Sequence, residues 1–293
     1  MRANGKTIKG LLICICAALL CITLAGCGGS ASSGSASASA ASGSASASAS
    51  ASATTPADPA EKFVGDWQIA ALQMNDAVVV GDFSAFGEDA INNMRLTVNA
   101  DGTGSMVYGG GTAEFAWELA DDNTIKIKPQ TETEGLAAGV NEDGTINVVF
   151  ADNCLSISMS DDTYTGAVFF SKDGTYKDVK AVTAADCKPI TSESDLIGQW
   201  KLAGAGMGGM TVFGDEASIQ SLGMPSISLS FEEGGKAMLD DQEASWSVSA
   251  DGAKIEASSM GAQISMPVLT SGDYLVLDLS EMFGTDMCFL FTK

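Results

Sequence analysis

Phe63-Val64-Gly65-Asp66-Trp67-Gln68-Ile69 returns later in the chain as Leu196-Ile197-Gly198-Gln199-Trp200-Lys201-Leu202. The matches continue downstream in the same order. Met94-Arg95-Leu96-Thr97-Val98 pairs with Ile227-Ser228-Leu229-Ser230-Phe231, and Phe115-Ala116-Trp117-Glu118-Leu119 with Ala244-Ser245-Trp246-Ser247-Val248. Leu155-Ser156-Ile157 pairs with Leu275-Val276-Leu277, and Val168-Phe169-Phe170 with Phe289-Leu290-Phe291. All four tryptophans fall in matched positions, so the chain carries two copies of one unit.

Most of these segments alternate apolar and polar residues, the pattern of a strand with one face buried. Between them stand Asn99-Ala100-Asp101-Gly102, Asn141-Glu142-Asp143-Gly144, Lys172-Asp173-Gly174 and Ala250-Asp251-Gly252. Asp-Gly suits tight turns because glycine accepts positive φ. Each unit therefore reads as a meander of roughly eight short antiparallel strands. One short helix per unit is expected, over Ser84–Asn92 and Glu216–Leu222. The fold class is all-β: two tandem units, each closing into a barrel, with a sandwich as the alternative.

Gly-x-Trp in the first strand, followed by a helical insertion, resembles the lipocalin-like barrels over residues 63–171 and 196–293. In that group the indole of Gly-x-Trp plugs the closed end. The group's later Thr-Asp-Tyr motif has only Gly272-Asp273-Tyr274 as an echo here, and its terminal-strand arginine is absent. The resemblance implies a barrel with a mouth able to take a small apolar or amphipathic molecule.

Upstream, Arg2, Lys6 and Lys9 precede an apolar run from Leu11 to Leu24. A charged start and an apolar core too short to span a bilayer comfortably make a secretory signal. Leu24-Ala25-Gly26-Cys27 resembles the bacterial lipobox, which implies cleavage before Cys27 and diacylglycerol on its thiol. Residues 28–59 are almost entirely Ser, Ala and Gly and cannot bury a core. Such a coil reaches about 30 Å on average and about 100 Å at full stretch. The expected organisation is a signal over 1–26, a lipidated cysteine and tether over 27–60, units over 61–175 and 195–293, and a connector over 176–194. Proteases are expected to cut first in the tether and next, if at all, near the polar connector.

The whole chain carries net charge −22, and loss of Arg2, Lys6 and Lys9 with the signal leaves −25. That surface repels nucleic acid and anionic lipid headgroups. There is no histidine, which removes Ser-His-Asp and Cys-His catalysis and all histidine metal sites. Beyond Cys27 the mature cysteines are Cys154, Cys187 and Cys288, an odd number that leaves at least one unpaired.

Trp67, Trp117, Trp200 and Trp246 are candidate ligand contacts, with core as the competing role. The methionines, among them Met207, Met210, Met224, Met260 and Met266, read as core filler or as an adaptable apolar surface. Asp121-Asp122, Asp161-Asp162, Glu232-Glu233 and Asp240-Asp241 read as solvated turn tips titrating normally. None has the spacing of a Ca²⁺ loop, and carboxylates alone would serve glycoside cleavage only at a set separation in a cleft. Gly109-Gly110-Gly111 lacks the lysine of a phosphate cradle and reads as a turn.

The expectation is a non-enzyme without metal or cofactor, held outside the bacterial membrane by lipid on Cys27. It would bind a small apolar molecule, envelope glycan or protein. The alternative is an interaction protein with filled barrels and no small ligand.

Overall fold

A computed structural model describes residues 58–83, 94–108, 111–130, 140–160, 165–222, 224, 226–259 and 262–293. The export signal, Cys27, the tether to residue 57, the helix expected over Ser84–Asn92, Asp161-Asp162 and Met260 lie outside them.

The first unit contains β1 (Gly65–Met74), β2 (Ala77–Gly81), β3 (Arg95–Val98), β4 (Thr103–Tyr108), β5 (Gly111–Asp121), β6 (Thr124–Pro129), β7 (Ile146–Ala151), β8 (Cys154–Ser160) and β9 (Thr165–Ser171). A two-residue strand β10 (Lys188–Pro189) lies in the connector. The second unit contains β11 (Gly198–Met207), β12 (Met210–Phe213), β13 (Ser228–Glu232), β14 (Lys236–Leu239), β15 (Gln242–Ser249), β16 (Gly252–Ser259), β17 (Ala262–Ser271), β18 (Tyr274–Asp278) and β19 (Met287–Thr292). The helix expected over Glu216–Leu222 is present as Glu216–Ser221, its first turn capped by Asp215, which accepts from the Ser218 amide at 2.8 Å.

Both units close. β1 pairs with β3, and antiparallel neighbours then run in order to β9, which returns to β1. β11 pairs with β13, and the same order runs to β19, which returns to β11. The result is two eight-stranded antiparallel barrels of lipocalin-like form. Closure leaves no free ladder along the ring, which is how such proteins avoid edge-to-edge aggregation.

β2 and β12 are ninth strands, one to each barrel, and they join the two. A register shift between Ile69 and Ala71 divides β1, and one between Leu202 and Gly204 divides β11. The first half of each strand pairs with β3 or β13; the second half keeps its ring partner, β9 or β19, on one edge and takes β2 or β12 on the other. β2 and β12 then pair with each other, Val78 with Phe213, Val79 with Val212 and Val80 with Thr211. Val79 lies 14 residues after Gly65, and Val212 lies 14 residues after Gly198. Each is thus paired with its own counterpart, and a pseudo-two-fold axis passes between them. The seam has the isologous form of a symmetric dimer interface.

Within the connector expected over 176–194, residues 176–182 form a strap over the outer face of this seam. Its Tyr176 and Val182 are buried against the seam, and Ile190 further on is buried in the core of the second barrel. Tyr176 packs on Phe169 with centroids 4.7 Å apart, beside Ala71, Val80 and Cys154. Val182 packs on Val276, Cys288 and Leu290. Thr211 is fully buried and clips the strap at both polar groups of Val182. Its hydroxyl accepts from the Val182 amide at 2.7 Å and lies 3.3 Å from the Val182 carbonyl. A buried amide must find such a partner, so the strap is held by chemistry that its polar composition hides.

Candidate functional site

Among the described residues, the side chains lining the middle of each barrel are packed. In the first, Leu96, Ile125, Ile127, Val148, Leu155 and Phe170 have no accessible surface, and Phe115, Ile146 and Ile157 have 1%. In the second, Ile255, Val268 and Phe291 have none, with Leu229, Leu275 and Leu277 at 1%. A cavity beside any of these side chains able to admit even one water would leave accessible area on it. These side chains instead meet one another, as in the filled interior of a narrow eight-stranded barrel.

The four tryptophans divide into two matched pairs with two structural jobs. Trp67 and Trp200 close their barrels at one end. Each indole N–H donates to a carbonyl four residues earlier, Trp67 to Phe63 at 2.8 Å and Trp200 to Leu196 at 2.7 Å. Above each ring stands a lysine at the end of the last strand, Lys172 Nζ 5.0 Å from Trp67 and Lys293 Nζ 4.9 Å from Trp200. A lysine thus stands where the resemblance leads one to look for an arginine, and a cation over an indole is favourable in either form. The glycine of Gly-x-Trp makes room for it. Gly65 and Gly198 have φ of 136° and 135°, and a Cβ at Gly65 would stand 3.3 Å from Lys172 Cε.

Trp117 and Trp246 pin hairpins. The Trp117 indole donates to the carbonyls of Asn99 and Thr103 across the β3–β4 turn, at 2.9 and 3.1 Å. Trp246 donates to Glu232 at 3.0 Å across the β13–β14 turn. Both also donate their peptide N–H to a turn glycine, Gly102 and Gly235, at 2.8 Å. Trp117 is half-buried; Trp246 is 5% exposed. The four indoles serve two barrels separately and do not converge on one pocket.

Outside the barrels, a groove of about 560 Å³ lies at the closed end of the first. Its walls are the β7–β8 turn (Phe150, Asp152, Asn153, Cys154), the chain after β9 (Ser171, Lys172, Asp173, Thr175), the strap turn (Lys177, Asp178) and Lys62. Trp67 is at its floor. Phe150 packs edge-on against Phe63 and Trp67, with centroids 5.9 and 6.2 Å apart. Lys62 Nζ stands 5.3 Å from the Phe150 centroid and donates to Asn123 Oδ1 at 2.6 Å. Lys172 donates to the Val64 carbonyl at 3.1 Å, and Lys177 pairs with Asp152 at 2.9 Å. Lys177 and Asp178 both have positive φ, forming a tight turn docked on the equally positive-φ pair Asp152-Asn153.

Three carboxylates at Asp-Gly turns are shifted by the turns that hold them. Asp101, Asp143 and Asp173 each start an Asp-Gly-Thr turn, and the threonine hydroxyl and amide both donate to the carboxylate. The hydroxyl bond first, then the amide bond, holds each acid below its ordinary 3.8. These bonds stabilise the fold fully above about pH 3.8, and that contribution is lost as pH falls through the lower folded values. Such groups are poorer general acids than free aspartate. Among the described residues no three Asp, Glu or Cys side chains gather as a metal nest.

Cys154, Cys187 and Cys288 are all free thiols. Burial pushes each thiol up, and for Cys288 burial and then the nearby Asp286 charge carry it to about 12. A thiol that resists ionisation is a weak nucleophile.

No protein-family model matches this chain, and no curated protein matches it.

Proposed function

We propose that this chain is a lipid-anchored bacterial surface protein that works without catalysis, through contacts on the outside of two filled barrels. The observation that carries the reading is the packed interior. A barrel that stores an apolar ligand needs unfilled volume between its walls, and here that volume is occupied by Trp67, Phe115, Phe170 and their neighbours. The reading of the barrels as carriers of a small apolar molecule is correspondingly less favoured. The anchor is supported by the signal and the Leu24-Ala25-Gly26-Cys27 motif. Two or three acyl chains at roughly 0.8 kcal/mol per buried CH₂ hold a protein at a bilayer where one chain is marginal.

Cys27→Ser is expected to abolish labelling by radioactive palmitate and to leave an uncleaved precursor or a protein released from the membrane. Equal labelling of both proteins would remove the anchor from this proposal.

A further inference from the structure

The groove at the closed end of the first barrel gathers Lys62, Lys172 and Lys177, half of the six cationic side chains between residues 58 and 178. An ammonium has three donors. Lys62 and Lys172 each spend one on a neutral oxygen, Asn123 Oδ1 and the Val64 carbonyl, and among the described residues neither meets a carboxylate. Two of the groove's three carboxylates are committed. Asp173 Oδ1 accepts from Ser171, the Thr175 amide and the Thr175 hydroxyl, and Asp152 is paired with Lys177. What remains for a ligand is chiefly donors: two ammonium groups beside the Trp67–Phe150 aromatic pair, with the exposed Asn153 on the facing turn.

From this geometry we infer that the groove is an oxyanion site, taking the phosphate ester of an anionic envelope polymer or of a lipid headgroup. Charge-assisted N–H···O⁻ bonds from Lys62 and Lys172 hold the phosphate, and Phe150 packs against whatever carbon skeleton carries it. The mature chain, at −25, repels such a partner elsewhere, whereas the groove's three ammonium groups balance its three carboxylates and make this end less repulsive than the surface around it. That end is where the tether enters the fold, since Lys62 belongs to the turn that follows Asp58. The assignment of the phosphate to an envelope source rests on the anchored reading above; the site itself does not.

The test uses the mature chain, isotope-labelled, at constant ionic strength. Inorganic phosphate and glycerol 1-phosphate are titrated in one arm. In the other, phosphatidylglycerol vesicles are sedimented with the protein against phosphatidylcholine vesicles. Saturable amide shifts confined to Asn153, Lys172–Thr175 and Lys177 are expected, with Lys62→Gln weakening binding about fivefold and the control Lys128→Gln leaving it unchanged. A response to glycerol 1-phosphate alone places the source in a polymer; co-sedimentation with phosphatidylglycerol alone places it in a headgroup. Shifts that never saturate, that follow lysines all over the surface, or that Lys62→Gln and Lys128→Gln alter equally in a folded protein overturn the site. The soluble arm reads the same whether or not Cys27 is acylated, so its failure is distinct from failure of the anchor.

Discussion

Gly81→Ala is expected to destabilise the protein by about 3 kcal/mol or more and to open the seam between the barrels. Gly81 ends β2 with φ of 112°, a region closed to residues with a side chain. Holding alanine there costs about 1–3 kcal/mol before any contact is considered. The added Cβ would then fall 2.2 Å from the Gly209 carbonyl oxygen and 2.8 Å from Ala181 Cβ. Neither neighbour yields easily, because Gly209 belongs to the β11–β12 turn and Ala181 to the strap. The Asp82 amide also donates to Gly209 O at 3.0 Å, and displacement of that oxygen loses the bond. Thermal unfolding reads the loss, and amide exchange locates it. Val79 and Val212 should lose protection while ring strands such as β16 and β17 keep more of theirs. Wild-type stability in Gly81→Ala would mean that the seam and strap are not packed as described.

Trp67→Ala and Trp200→Ala are each expected to cost about 3–5 kcal/mol, the range for deleting a buried indole. Trp67 is 1% exposed, is bonded through its N–H to Phe63, touches Phe150 edge-on and carries Lys172 on its face. Trp200 is 8% exposed and keeps the same N–H bond and the same lysine cover. Removing either indole leaves a cavity and also strips the seat from the lysine above. Chemical denaturation of the single variants measures the effect. A loss well under 1 kcal/mol would mean that the indoles are exposed and available to a ligand.

Much of the barrel was legible because strand alternation, Asp-Gly turns and Gly-x-Trp are local signals, and each occurs twice. The strand from Ala77 to Gly81 was harder to read. Val78-Val79-Val80 is buried or half-buried on both faces and shows no alternation, and its partner Met210–Phe213 lies far off in the chain. The strap hid behind Lys177, Asp178 and Lys180, whose exposed charges mask the buried Tyr176 and Val182 between and beside them. The tryptophans were visible as pairs, but only their hydrogen bonds separate the two that close barrel ends from the two that pin turns. The lowered acids had a readable signal, the threonine two residues after each aspartate, yet its effect depends on the turn presenting hydroxyl and amide together. The groove has no motif at all. It is assembled from the entry turn, one hairpin tip, the chain after β9 and the strap, and no two of those are defined by a shared pattern.

Native mass spectrometry of the protein released intact from cells and freed of its lipid anchor tests the filled-barrel reading most directly, when paired with tryptophan fluorescence during titration with fatty acids. Filled interiors predict the bare polypeptide mass and no saturable quenching of Trp200, which lies outside the oxyanion groove, at micromolar fatty acid. A co-purified apolar molecule in stoichiometric amount, or saturable quenching that Trp200→Phe removes, would contradict it.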